Sequence, residues 1–368
     1  MKSNALLSDG DYNTDSIVTG GNNAVITGGT MTGVYAGGNE TVSGDITTTI
    51  SGGTIQNIVI GGALVKPDSA AVSTGNISTT ISGGDIDGYI YGAGYTYNGE
   101  AEVDLKVAKS TITLNGAKHD QYIVSGAHAR KGAKAVVKET VITVEDGSYG
   151  RLFGGGWAEQ DGAYSEVKNA TITVNGGLVD YIYAGGANGS EASTNVSKNV
   201  SIVLNGGTVN HIFLSGKNEN SSVAGNVTLT VNAFAENEVL KRLSGTSAWG
   251  NDNSSGTTKV DLNTGLSVDY LDFIDELVID ENCTLQINKG FLTGYENGMK
   301  VTLDFDTDET NNKDWTVLSG DALADFNGKL SFYIDETELA LGAEFSNGRG
   351  LYRDEDGSYK FGPIVKNG

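Results

Sequence analysis

Cysteine, proline and histidine are nearly missing from this chain: 368 residues hold one Cys, two Pro and three His. A single cysteine, Cys283, excludes an internal disulfide framework and any Cys-x-x-Cys zinc site. It suits a cytosolic protein and equally one that crosses an envelope unfolded. So little proline beside 53 glycines excludes collagen and argues against a Pro-rich linker. No run reaches the roughly 18 apolar residues of a membrane helix, so direct membrane insertion is not expected. The opening MKSNALLSDGD lacks the apolar core of a signal peptide, so an exported protein would contain this chain as a fragment or mature region. Positive charge is scarce as well. Lys and Arg number 24 against 46 Asp and Glu, a net charge of −22, which repels nucleic acid and anionic membranes and fits a solvated secreted surface.

What is present is repetition. The last apolar residue before each small-polar or glycine corner falls at Ile50, Ile81, Leu114, Val144, Val174, Leu204 and Val231, spaced 31, 33, 30, 30, 30 and 27 residues apart. A shorter copy at 25–39 places Ile26 ahead of Ile50 by 24. Before each anchor, apolar residues alternate with Thr or Ser, as in Ile172/Val174 with Thr171/Thr173. Alternation of that kind reads as a strand with one face buried. A second short run follows each corner, with Val59, Ile90, Ile123, Leu152, Ile182 and Ile212 as its middle column. That aliphatic column is the expected interior. Three short strands in about thirty residues are too few for a propeller blade and suit one coil of a parallel β-helix, whose rungs stack at about 4.8 Å. The glycine pairs are expected to turn corners with positive φ.

The predicted fold is therefore all-β, a right-handed parallel β-helix with glycine-rich coils over 1–260. Shorter coils and a C-terminal β cap are expected over 261–368, where glycine thins and acidic turns such as DTDETNNKD appear. The phrase NGGLVDYIYAGG at 175–186, with WTVLSG at 315–320, resembles the passenger region of autotransporter adhesins and related bacterial surface proteins. That resemblance is one of repeat style and covers about residues 20–335. It implies a β-helix displayed outside the outer membrane of a Gram-negative-type bacterium, although the membrane barrel of a full autotransporter is not in this sequence.

Side chains able to do chemistry are sparse. Asp87, Asp120, Asp180 and Asn210 follow the corner at one apparent register, with Asp85 nearby. Such a row could serve a polysaccharide lyase or hydrolase, or calcium. It could equally cap turns through its own backbone, and Gln56 and Gly150 interrupt it. No G-G-x-G-x-D calcium nonapeptide occurs, GGDIDG at 83–88 being a superficial match, so no cofactor is expected. No HExxH or G-x-S-x-G motif is present. His119 shares the register of Ile55, Ile86, Val179 and Val209 and is expected to point partly inward.

Two columns carry functional expectations. If the middle residue of the second strand faces the core, Tyr89, Tyr91, Tyr122, Phe153, Tyr181, Tyr183, His211 and Phe213 face outward as an aromatic band. Exposed aromatic faces stack on sugars or anchor proteins. Alternatively, the variable segments fold back over this face, or the register is swapped and the rings fill the core. The second column is the Thr/Ser rank on the first strand, which could form an ice-binding face but is broken by Val141, Ser201 and Val203. The segments at 63–76, 94–102, 127–135, 156–166, 187–199 and 215–226 share almost no sequence and should lie on one side. The expected function is a non-catalytic, adhesin-like surface or secreted module. It would bind host or bacterial surface glycans or proteins through the aromatic band, or act as a rigid spacer. A lyase or hydrolase and an ice-binding protein are the alternatives, and nothing in the residues speaks to oligomeric state.

Overall fold

A computed structural model describes residues 5–7, 17–18, 23–38, 44–65, 75–97, 104–160, 162–248, 250, 255–290, 298–305, 314–326 and 329–364. It is a parallel β-solenoid of about eight turns. The anchors found in the sequence stack in register: Ile26 on Ile50, Ile50 on Ile81, Ile81 on Leu114, Leu114 on Val144, and so on to Leu262 and Ile279. The middle column stacks likewise, from Val34 and Val59 through Ile182 and Ile212 to Leu243. Both columns are buried in one continuous apolar core that runs from Ala24 to Phe361. Two strands at the start, Ala5–Leu7 and Ile17–Val18, pair with Asn23–Tyr35 and add pairing the repeat spacing did not reveal.

Beyond position 260 the same two stacks continue. Thr258–Leu262, Glu276–Asp280, Met299–Asp304 and Leu330–Ile334 extend the first, while Leu266–Asp272, Leu285–Gly290 and Trp315–Ser319 extend the second. The first link is short, Val260 pairing with Leu277 only 17 residues on. Parallel stacking then stops. Thr337–Leu339 runs antiparallel to Leu330–Ile334, and Tyr359–Pro363 runs antiparallel to both Trp315–Ser319 and Arg349–Arg353.

The glycines do two different jobs. At the corner after the first strand, Gly177 and Gly207 have φ of 75° and 74°, the left-handed conformation expected there. The pairs after the second strand are needed for a different reason, which corrects the single role expected for them. A Cβ on Gly62 would stand 1.8 Å from the carbonyl oxygen of Ala93 in the next rung. There the backbones themselves are in contact and no side chain fits. A further device appears beside the first corner. Asn175, Asn205, Asn232 and Asn263 form a ladder of amide-to-amide hydrogen bonds at 2.9, 2.8 and 2.6 Å, which starts on the Glu145 carboxylate at 3.0 Å.

Gly62→Ala is expected to destabilise the fold by at least the ~1–3 kcal/mol typical of overpacking, because the clash is with backbone that cannot rotate away. A urea-unfolding midpoint equal to that of the wild type would show that the rungs can separate there at no cost.

Candidate functional site

The variable segments do not leave the body as plain loops. Their first residues form a second parallel sheet of five short strands, Ala63–Val65, Gly94–Tyr97, Ala127–Arg130, Trp157–Glu159 and Ala187–Asn188. Its facing column is Leu64, Tyr95, His128, Trp157 and Ala187. Opposite stands the outer face of the second solenoid strand, and between the two walls runs a groove along the solenoid axis.

This groove divides the aromatic band. Tyr91, Phe153, Tyr183 and Phe213 do not face solvent as expected. Together with Ile60 and Val124 they are buried in a second apolar cluster at the groove floor, closed by the short sheet. Phe153, Tyr183 and Phe213 stack face to face, with centroids 4.7 and 5.3 Å apart. Burial pushes the Tyr91 and Tyr183 phenols well above the usual range, so both stay protonated. The other half of the band remains accessible. Tyr89 is 40% exposed, and Tyr122, Tyr181 and His211 are half-buried on the groove wall. The Tyr181 and His211 rings stack at 4.4 Å.

At one end the groove opens into a cavity of about 600 Å³ lined by Tyr35, Tyr89, Tyr91, Tyr95 and Trp157, with Asn57, His128 and Glu159 among its polar members. Tyr89 and Trp157 stack at 5.9 Å, and Tyr122 lies 4.9 Å from Trp157. His128 is 4% exposed, and burial lowers its pKa against the pull of Glu159. Its Nε2 is 3.5 Å from Glu159 Oε2, a separation too long for good hydrogen-bond geometry. Contact with His128 holds the Glu159 carboxyl below its ordinary range. The indole N–H of Trp157 and the ring nitrogens of His128 are buried and have no hydrogen-bond partner among the described residues. No protein-family model, curated protein or solved structure matches this chain.

The aspartate row does not form as one line. Two residues, Asp120 and Gln121, separate the paired positions His119 and Tyr122, but only Gly150 separates Tyr149 from Arg151. Later rungs keep the shorter corner, and Gly150, which follows Tyr149 as Asp120 follows His119 and Asp180 follows Val179, interrupts the row between the two aspartates. Asp87 and Asp120 are exposed, and Asp180 accepts a 2.8 Å hydrogen bond from Asn210. Among the described residues no group of three or more His, Cys, Asp or Glu is placed to hold a metal ion. The Thr/Ser rank does stack in register on the outer face, but past Thr228 and Thr230 it gives way to Lys259 and Asp261.

His119 is buried as expected, its Nδ1 2.9 Å from the Ile86 carbonyl, which fixes the proton on that nitrogen. Arg151 and Arg242 escape a reading by aromatics alone, yet RLF at 151–153 and RLS at 242–244 occupy the register of YIY.

Two outcomes follow from this burial. Tyr183→Ala should cost about 3–5 kcal/mol, as for other buried aromatics, while Tyr89→Ala should cost under about 1 kcal/mol; equal melting temperatures for the two variants would refute the division of the band. For His119, burial is the main cause of a folded-state pKa below the ordinary value, against opposing contributions from Ile86, Tyr122, Asp120 and Asp87. The unfolded chain therefore takes up the proton first, and the stability tied to the neutral ring is complete above about pH 6.5 and erodes as pH falls below it. Between about pH 8 and pH 5, wild type should lose more melting temperature than His119→Gln; parallel curves would contradict the assignment.

Proposed function

We propose that this chain is a non-catalytic binding module that takes up surface glycans in the aromatic groove, held on a rigid solenoid. The observation that carries the reading is the cavity beside Trp157. It offers aromatic faces from Tyr89, Tyr91 and Trp157, together with the buried indole N–H of Trp157 and Nδ1 of His128, which have no hydrogen-bond partner among the described residues. Sugar rings present C–H faces to aromatic rings and hydroxyls to such nitrogens, so one ligand class meets both needs. Protein ligands are less well matched, since rings dominate the lining and Glu159 is its one carboxylate among the described residues. A glycosidase, by contrast, uses a pair of acids. Display outside a bacterial cell, in the manner of an adhesin passenger, is part of the proposal. The solenoid body and the net charge of −22 support it.

The test is a panel of immobilised glycans scored for retention and for product release. Retention without cleavage is expected, weakened about tenfold by Tyr89→Ala and severalfold by Trp157→Phe, which keeps a ring but removes the N–H. Unchanged retention in both variants would move the site elsewhere, and released product would replace binding with catalysis.

A further inference from the structure

The groove changes character along its length. Beyond Ala187 the short sheet ends, and the groove widens into a second cavity of about 650 Å³ lined by Arg151, Lys217, Lys241, Arg242, Lys289 and several rings. Five cations around one opening run against the composition of a chain with 24 basic and 46 acidic residues. Carboxylates answer two of them: Arg242 pairs with buried Asp272 at 3.0 Å, and Lys289 with Asp269 at 2.6 Å. The remaining three have no carboxylate partner among the described residues. Lys217 donates to the Tyr122 hydroxyl at 2.7 Å. Arg151 lies between the rings of Tyr122 and Tyr181, 5.2 Å from each centroid. Lys241 is exposed at the rim.

Resting on the glycan-binding reading above, we propose that this second cavity is an anion subsite. It would bind the carboxylate or sulfate group of an acidic sugar whose neighbouring rings lie along Tyr122 and Tyr181. A guanidinium held between two rings has lost part of its torsional freedom and presents a planar fork of donors, the shape that matches a carboxylate or sulfate. The half-buried wall lowers the local dielectric and strengthens that contact. The whole-molecule charge of −22 sets a limit on the ligand. A densely charged polyanion would be repelled along the rest of its length, so the ligand that fits carries isolated acidic groups among neutral sugars. Tyr122 lines this cavity and also touches Trp157 in the first one, so a single oligosaccharide can span both.

The experiment is a calorimetric titration of the full chain with sialyllactose, with a sulfated lactose and with lactose itself, in low and high salt. Either or both acidic sugars should bind at least about tenfold tighter than lactose, with the preference shrinking in high salt. Which of them does so identifies the anion as carboxylate or sulfate. Arg151→Gln and the exposed Lys241→Gln should each reduce that preference while lactose binding is kept. Lys138→Gln, exposed and outside the lining of this cavity, should leave it intact. Because Arg151 packs between two rings, Lys241→Gln carries the test if the first variant melts early. Equal affinity for acidic and neutral sugars, or a preference that survives both groove variants, would overturn the anion subsite and leave glycan binding standing. Failure to bind any of the three, while the neutral sugars of the panel are retained, would also overturn the subsite alone. Failure to retain any sugar would overturn both readings.

Discussion

Contact between the backbones of successive rungs is the constraint on which the rest of this structure depends. Parallel strands spaced at about 4.8 Å satisfy their amides only through the rungs above and below. The chain must therefore leave each second strand without pushing its neighbours apart. At Gly62 the next rung's carbonyl already occupies the place of a Cβ. Once that approach is secured, the apolar columns align, and a core that no single rung could close becomes continuous. The same tight exit throws the chain back along the outside of the solenoid, where its first residues pair as the short sheet. The groove is thus a by-product of the corner.

This dependence explains which features the residues revealed in advance. A column repeated with one kind of side chain, such as Val59, Ile90 and Ile123, announces both its spacing and its direction, because period-two alternation leaves only two faces. His119 was legible for the same reason, sharing a register with Ile86 and Val179. The division of the aromatic band was not legible. Alternation sends Tyr89 and Tyr91 to the same outer face, and only the covering sheet decides that one is buried and the other open. That sheet is written in Leu64, Tyr95, His128, Trp157 and Ala187, five residues with no common chemistry, held together by backbone pairing. Backbone pairing leaves little mark on side-chain choice at the edge of a sheet.

The aspartate row fails for a simpler reason. Asp120 and Asp180 each follow a paired position, His119 and Val179, but Gly150 stands between them with no side chain to continue the row. The arginines were hidden differently. Their register was plain, but a rank of rings draws attention from the cation that interrupts it, although Arg151 makes its principal contacts with those rings.

The antiparallel strands at the C-terminal end bear on a hazard that any in-register stack of strands carries. A rung that templates the next one within a chain can also template a rung from another molecule, which is how cross-β fibres elongate. By reversing direction, Thr337–Leu339 and Tyr359–Pro363 replace the parallel template at that end with strands that a further parallel rung does not match. In the language of polymers, they are chain terminators: they fix the length of the stack by ending its growth within the molecule.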